Sequence, residues 1–218
     1  MKSVNFSANQ ITKVQNGENY KGINVETLTM TDNPITVYPV EFAKSKSKIG
    51  FVNMRGCRLS DVPEEAFEGE NVKYLMSLDF SYNDLNDLPS SFNAVNMPYF
   101  YGLELSYNEF SKFPFEPLDC YGLTVFAIRG QRDKNGDRCL SEWPTGIYQH
   151  VGLRGFYIGS NNLGMINDTI SPLCYYLEIS DNPDIVFDAS GVCYEYSIGA
   201  YYLIYDKTQD VRGCELML

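Results

Sequence analysis

Residues 75–92 read LMSLDFSYNDLNDLPSSF, and this stretch carries the pattern on which the chain is built. Apolar residues recur in it at fixed spacings on both sides of Asn83, and a proline precedes the last one: Leu75, Leu78, Phe80, Leu85, Leu88, Pro89 and Phe92. Polar residues alternate with Leu78 and Phe80, which is the period of a β-strand with one buried face. The stretch therefore predicts a short strand, a turn at the asparagine and, after the turn, a second segment with buried apolar residues.

The same frame recurs along nearly the whole chain of 218 residues. The position of Asn83 is filled in turn by Asn9, Asn33, Cys57, Asn83, Asn108, Gln131, Asn161 and Asn182. These positions are 24, 24, 26, 25, 23, 30 and 21 residues apart, and the longest interval contains an insertion, RDKNGDRC, at residues 132–139. Repeats of this period predict a solenoid, in which stacked coils bury one another and their strands form a parallel sheet.

The asparagine position has a specific physical role in such a coil. An amide side chain can both donate to and accept from buried backbone groups that the sheet leaves unpaired. We expect Cys57 to be an accepted substitute, and the longer Gln131 a less usual one beside the insertion.

The LxxLxLxxNxLxxLP form resembles the leucine-rich-repeat superfamily, in particular its secreted or surface-anchored bacterial members. The resemblance implies a curved parallel sheet on the concave side, with short turns and 3-10 segments on the convex side. It also implies recognition of a protein or glycan through the concave sheet. We predict a repeat array over residues 1–189, with about eight repeats and the first incomplete, and a C-terminal β cap over residues 190–218. The cap contains the strand-like AYYLIY at residues 200–205.

The net charge and the hydropathy of the chain indicate which classes of partner and which location to expect. A formal charge of −11 repels nucleic-acid phosphates and anionic lipid headgroups. No stretch approaches the roughly 20 apolar residues of a transmembrane helix, and the first residues lack the apolar core of a signal peptide. We predict no nucleic-acid partner and no transmembrane segment. From the resemblance and the incomplete first repeat, we expect a piece of a longer extracellular or cell-surface protein, with its leader outside this sequence.

Alternation along each strand predicts which side chains stand on the open face of the sheet. The larger or charged ones are our candidate ligand-binding residues: Arg55, Asp79, Tyr82, Glu104, Tyr107, Arg129, Tyr157 and Glu178. Tyrosine and arginine are enriched among the residues that dominate binding energy at interfaces. The alternative for each residue is a solvated strand position without a ligand.

Catalysis has little support in the sequence. His150 is the only histidine, and no nucleophile–base pairing is evident around it. The metalloprotease, hydrolase and phosphate-loop motifs are absent from the sequence. We therefore predict that the chain is not an enzyme and that it binds no cofactor. A noncatalytic recognition module is the leading hypothesis and a structural spacer or assembly domain of a larger surface protein is the alternative; a polysaccharide-active enzyme using Asp79 and Glu104 is a third.

The insertion offers a weak metal motif. Asp133, Asn135 and Asp137 have the one-three-five spacing of a calcium loop. Arg138 stands where the loop needs glycine, and Pro144 stands where it needs glutamate. A plain Asn-Gly turn accounts for the same residues, so we predict no metal site.

Six cysteines complete the candidate groups. Cys57 and Cys174 fall on core positions and are predicted to be buried thiols. Cys193 and Cys214 flank the predicted cap and are candidates for a disulfide if their Cα atoms approach within about 7 Å.

Overall fold

A computed structural model describes residues 2–14, 25–44, 47–166, 174–188, 202–204 and 210–212. Its strands, in chain order, are β1 (Ser3–Asn5), β2 (Thr27–Thr29), β3 (Phe51–Asn53), β4 (Ser77–Asp79), β5 (Gly102–Glu104), β6 (Val125–Ala127), β7 (Gly155–Tyr157), β8 (Met165–Ile166), β9 (Tyr176–Glu178), β10 (Val186–Asp188), β11 (Tyr202–Ile204) and β12 (Asp210–Arg212). Short helical segments connect strands of successive coils: α1 (Glu41–Lys44) and the 3-10 segments Glu64–Phe67, Val72–Tyr74, Glu116–Asp119 and Ile147–Gln149.

Nine strands form one parallel sheet in the order β1-β2-β3-β4-β5-β6-β7-β9-β11. The repeat frame sets the register, so Leu78 lies opposite Val52 on one side and Leu103 on the other. These central residues are buried, whereas Ser77 and Asp79 on either side of Leu78 are partly exposed. We call the exposed side of this sheet the concave face. The predicted leucine-rich-repeat solenoid is confirmed.

The core is a continuous apolar column that runs through the coils behind the sheet. Its largest fully buried side chains include seven phenylalanines: Phe67, Phe80, Phe92, Phe100, Phe110, Phe126 and Phe156. Neighbouring rings meet edge to face, for example Phe67 and Phe92 with centroids 4.8 Å apart. Such packing binds each coil to the next one, because a single coil has no core of its own.

The end of the described chain adds to the same sheet. Strand β11 pairs in parallel with β9, with Leu203 opposite Leu177. The predicted strand within AYYLIY thus extends the array by one position. A second, smaller parallel sheet of β12, β10 and β8 was not predicted from the sequence. The division of the chain at residues 189 and 190 stays a prediction, because most of residues 189–218 lie outside the described part.

The side chain of Asn83 ties two coils together. Its Nδ2 donates to the carbonyl oxygens of Phe80 in its own coil, at 2.8 Å, and Met54 in the preceding coil, at 2.9 Å. Its Oδ1 accepts the N–H groups of Cys57 and Leu59 at 2.8 and 2.9 Å. These backbone groups leave the sheet at the turn, where no strand pairs with them, so the amide supplies their partners.

The equivalent side chains act in the same way, and we call them the asparagine row: Asn33, Cys57, Asn83, Asn108, Gln131, Asn161 and Asn182. Cys57 keeps the donor half of the role, because its thiol lies 3.0 Å from the Met30 carbonyl oxygen. Gln131 keeps both halves, since Nε2 donates to Leu105 O and Oε1 accepts Phe110 N–H. The predicted role of this position is confirmed.

We predict that Asn83→Ala lowers the free energy of unfolding by about 3 kcal/mol or more, because several buried backbone groups lose their partner. The matched control is Asn86→Ala, which changes an exposed asparagine three residues away. Urea denaturation of both variants measures the difference. Equal stability of the two variants would contradict the assigned role of the asparagine row.

Candidate binding face

The chain leaves eight of the nine strands of the concave sheet through a residue in the left-handed conformation. The residue directly before each asparagine-row position, and before Asn9, has a φ between 53° and 67°: Ala8, Asp32, Gly56, Tyr82, Tyr107, Gly130, Ser160 and Asp181. This conformation costs about 1–2 kcal/mol for a residue with a side chain. The asparagine that follows holds the turn in place. Two adjacent coils thereby carry a tyrosine at this corner of the concave face.

Tyr82 and Tyr107 stack on each other with ring centroids 4.4 Å apart and an interplanar angle of 28°. The guanidinium carbon of Arg55 lies 3.9 Å from the centroid of the Tyr82 ring. On the far side, a Cβ atom added to Gly130 would lie 2.6 Å from the Tyr107 ring, so this ring rests on the glycine backbone. We call Arg55, Tyr82 and Tyr107 the tyrosine stack.

The tyrosine stack is packed and still accessible. Tyr82 is 45% exposed and Tyr107 is 40% exposed. Arg55 and the Tyr107 ring cover the two faces of the Tyr82 ring. Burial raises the pKa of Tyr107, and the neighbouring Tyr82 raises it further through its charge and a hydrogen bond.

A second group surrounds Arg129. Its Nε lies 2.8 Å from Oε2 of Glu178, and its Nη1 lies 4.0 Å from Oε2 of Glu104. Its guanidinium carbon lies 4.4 Å from the centroid of the Tyr157 ring. We call Glu104, Arg129, Tyr157 and Glu178 the Arg129 cluster. An ion pair and an aromatic face together fix the guanidinium in one place.

Gly159 makes the Arg129 cluster sterically feasible. A Cβ atom at this position would lie 2.0 Å from Oε1 of Glu178. The Gly159 N–H instead donates to Oε2 of Glu178 at 3.3 Å, and the Ser180 hydroxyl donates to Oε1. The buried carboxylate of Glu178 therefore has hydrogen-bond donors as well as a guanidinium partner.

Asp79 and Glu104 lie directly opposite each other on β4 and β5. Oδ1 of Asp79 accepts the N–H and the hydroxyl of Ser81, at 3.0 and 2.6 Å, and Oε1 of Glu104 accepts the N–H of Ser106 at 2.9 Å. Burial raises the pKa of Glu104 and the charge of Asp79 adds to this, while Ser106 and Arg129 act in the opposite direction. Like charges at facing positions are unfavourable, and Arg129 partly offsets this at Glu104.

The structure thus places all eight candidate residues on the concave face and divides them into neighbouring groups. Arg55 joins Tyr82 and Tyr107, and the Arg129 cluster contains four more. Asp79 bridges strands through the Asn53 amide at 3.1 Å and faces Glu104.

Sequence reasoning missed the column formed by the first residue of each strand. Because side chains alternate, Ser77 shares the concave face with Asp79, and the column runs through Thr27, Phe51, Ser77, Gly102, Val125, Gly155 and Tyr176. Val125 and Tyr176 are 42% and 45% exposed. Counting two residues back from Asp79 would have found it.

The insertion folds as a hydrogen-bonded turn. Oδ1 of Asp133 accepts the N–H groups of Asn135 and Asp137 at 2.8 and 2.9 Å, and these bonds lower the pKa of Asp133. Gly136 has a φ of 88°, as the Asn-Gly turn requires. Within the described residues, no group of three or more His, Cys, Asp or Glu side chains could hold a metal ion. The geometry favours the turn over the calcium loop.

The remaining candidate groups lie in the core. His150 is buried, with Nε2 3.1 Å from the Cys120 carbonyl oxygen. Cys57 and Cys174 are buried free thiols as predicted, and burial raises the pKa of Cys174 to about 11. The proposed bridge between Cys193 and Cys214 falls outside the described residues.

We predict that Glu104→Gln stabilises the fold at neutral pH. The folded pKa of Glu104 is raised, so the folded state binds its proton more tightly, and stability is lost as pH rises through that pKa. The gain should be present at about pH 7 and should shrink at about pH 4, near the ordinary pKa of glutamate. Melting temperatures measure it against Glu65→Gln, which removes the same charge at an exposed convex position. A lower melting temperature than this control at pH 7 would show that the Glu104 carboxylate stabilises the face.

Comparison with known proteins places the chain among repeat proteins. It is similar to a leucine-rich repeat protein from Bacteroides thetaiotaomicron VPI-5482, with 37% identity and a TM-score of 0.91 over 99% of this chain and 27% of that one. A leucine-rich repeat protein from Bacteroides eggerthii DSM 20697 is 40% identical, with a TM-score of 0.89 over 98% of this chain and 36% of that one. The chain therefore spans about a quarter to a third of these longer proteins.

More distant structures share the fold alone. Human 5T4, the trophoblast glycoprotein, is 20% identical with a TM-score of 0.69, over 96% of this chain and 77% of that one. No protein-family model and no curated protein matches the sequence. In the described part of the chain, no helix is long and apolar enough to cross a membrane. The asparagine row, the parallel sheet and these likenesses together identify the chain as a leucine-rich-repeat solenoid.

Proposed function

We propose that the chain is a noncatalytic recognition module that binds a protein through its concave face. The observation that carries this proposal is the tyrosine stack. Its two tyrosines occupy left-handed corners where other coils place glycine, alanine, aspartate or serine. A bulky residue in this conformation is uncommon, and strain of this kind concentrates at functional sites. The alternative, in which these are solvated strand positions without a ligand, does not explain two bulky left-handed residues on adjacent coils.

The chemistry of the face supports a protein ligand over a glycan. Arg55 and Tyr107 cover the faces of the Tyr82 ring, so a sugar ring could not stack on it. Preordered aromatic and arginine side chains suit protein interfaces, because little side-chain entropy is lost on binding. Tyr82, Tyr107 and the Arg129 cluster satisfy this condition before any partner arrives.

The same contacts argue against the enzyme hypothesis. The carboxylates of Asp79 and Glu104 accept hydrogen bonds from Ser81 and Ser106, and Glu178 pairs with Arg129. The single histidine is buried against a backbone carbonyl. We further propose display outside a bacterial cell; the likeness to the two Bacteroides proteins supports the bacterial part of this proposal.

We predict that the triple variant Tyr82→Ala, Tyr107→Ala, Tyr157→Ala loses ligand binding by about a hundredfold or more, since aromatic anchors dominate interface energy. Ligands come from panning a displayed protein library on the wild-type chain, with binding measured by surface plasmon resonance. The melting temperature should stay close to that of the wild type, because these side chains are outside the core.

The control for that experiment is Tyr99→Ala with Tyr121→Ala, which removes tyrosines that are 64% and 86% exposed and lie before β5 and β6. It should leave the selected ligands bound. A library that yields no ligand would instead favour the spacer. Ligands that bind the triple variant as well as the wild type would place recognition elsewhere on the array.

A further inference from the structure

Two arginines of the insertion reach forward to the coils that follow it. The backbone there forms a short hairpin, with Arg132 opposite Arg138 in an antiparallel bridge, so both side chains start from its base. Nη1 of Arg132 donates to the carbonyl oxygen of Ser160 at 2.9 Å, and Nη1 of Arg138 donates to that of Asn161 at 2.9 Å. Both carbonyls belong to the turn that follows β7. The insertion is thus bonded to the next coil of the array.

Arg138 also bonds to the coil after that one, which contains β9. Its Nη1 donates to the carbonyl oxygen of Asp181, and its Nη2 lies 2.5 Å from Oδ1 of the same residue. The hydrogen bond from Arg138 lowers the pKa of the Asp181 carboxyl. A single ion pair at a partly exposed position contributes little to stability. Here the same guanidinium also binds two backbone carbonyls, and these bonds together fix its position.

The Arg129 cluster spans the same three coils. Arg129 follows β6 by two residues, Tyr157 is the last residue of β7 and Glu178 is the last residue of β9. The ion pair between Arg129 and Glu178 therefore crosses the coil of β7, as does the ion pair between Arg138 and Asp181. Strand β7 lies between β6 and β9, and neighbouring strands are about 4.8 Å apart, so each pair joins coils separated by about 10 Å.

Contacts between neighbouring coils do not fix this longer distance by themselves. Strand pairing and the asparagine row join each coil to its neighbour, so small changes at two successive junctions add up between the coils of β6 and β9. The ion pair of Glu178 needs its atoms within hydrogen-bonding distance. Because Asp181 follows Glu178 by three residues, the bonds that hold Asp181 also restrain the strand end that carries Glu178.

We infer that Arg132 and Arg138 are positioning residues for the candidate binding face. They hold the coils of β7 and β9 at the distance from the coil of β6 at which Tyr157 and Glu178 meet Arg129. Side chains that are held in place before binding lose less entropy when a partner arrives. The consequence for binding rests on the proposed function, whereas the restraint itself belongs to the unbound chain.

The Nε–H group of Arg129 reports the restraint without any ligand, because it donates to Oε2 of Glu178. In Arg138→Ala, its exchange with solvent, followed by NMR, should accelerate about tenfold or more. The amide of Phe80, which bonds to the next coil far from the insertion, should accelerate by less than about threefold, since it reports on opening of the whole array. Asp181→Asn removes the charge and keeps a residue that tolerates the left-handed corner, so it should accelerate exchange at Arg129 to a smaller extent.

The matched control is Lys134→Ala, which removes an exposed cation from the same hairpin. It should change the exchange rate at Arg129 by less than about twofold. No acceleration at Arg129 in Arg138→Ala, or an acceleration equal to that at Phe80, would overturn the inference.

Binding measurements separate this inference from the proposed function. Ligands selected on the wild-type chain should bind Arg138→Ala about fivefold more weakly and Lys134→Ala within about twofold of the wild type. Unchanged affinity of Arg138→Ala despite accelerated exchange would overturn the positioning role. Accelerated exchange without any selectable ligand would support the restraint and count against the proposed function. Unchanged exchange, with ligands that the tyrosine variant loses, would do the reverse.

Discussion

The solenoid depends on side-chain amides that satisfy backbone groups where the chain turns out of the sheet. Asn83 shows the arrangement fully: one side chain donates to carbonyls of two coils and accepts two N–H groups of the coil before it. Without such a partner, each turn would bury unpaired backbone groups next to the apolar column, at a cost of about 1–3 kcal/mol each. Apolar packing provides most of the stabilisation of the stack, and the asparagine row makes a tight turn compatible with it.

This division of roles leaves the opposite face of the sheet free. Core residues such as Leu78 and Phe80 point inward, and the row closes the turn, so neither task uses the residues between them. Those residues can vary from coil to coil without loss of the fold. In this chain they form the tyrosine stack, the Arg129 cluster and the acidic pair Asp79–Glu104. Burial raises the pKa of Glu104, and the charge of Asp79 adds to this.

The features that could be predicted from the sequence are those that depend on the burial of apolar side chains. The strand positions and the parallel order followed from a repeat in which each apolar side chain has one place to go. The left-handed corner could not be predicted, because Ala8, Asp32, Gly56 and Tyr82 share no side-chain property there. The contacts of the binding face depend on neighbouring coils, so the fit of Glu178 over Gly159 has no signal in the sequence of either repeat. The column of Val125 was missed because counting began at the third residue of each strand.

Amide hydrogen exchange at the turns tests the central claim most directly. The N–H groups of Cys57, Leu59 and Leu85 lie outside every strand and donate to Asn83 or Asn108. If the asparagine row holds the coils together, these amides exchange as slowly as that of Phe80, which bonds to the next strand. Exchange at the rate of an exposed turn amide would show that the row does not hold the coils together.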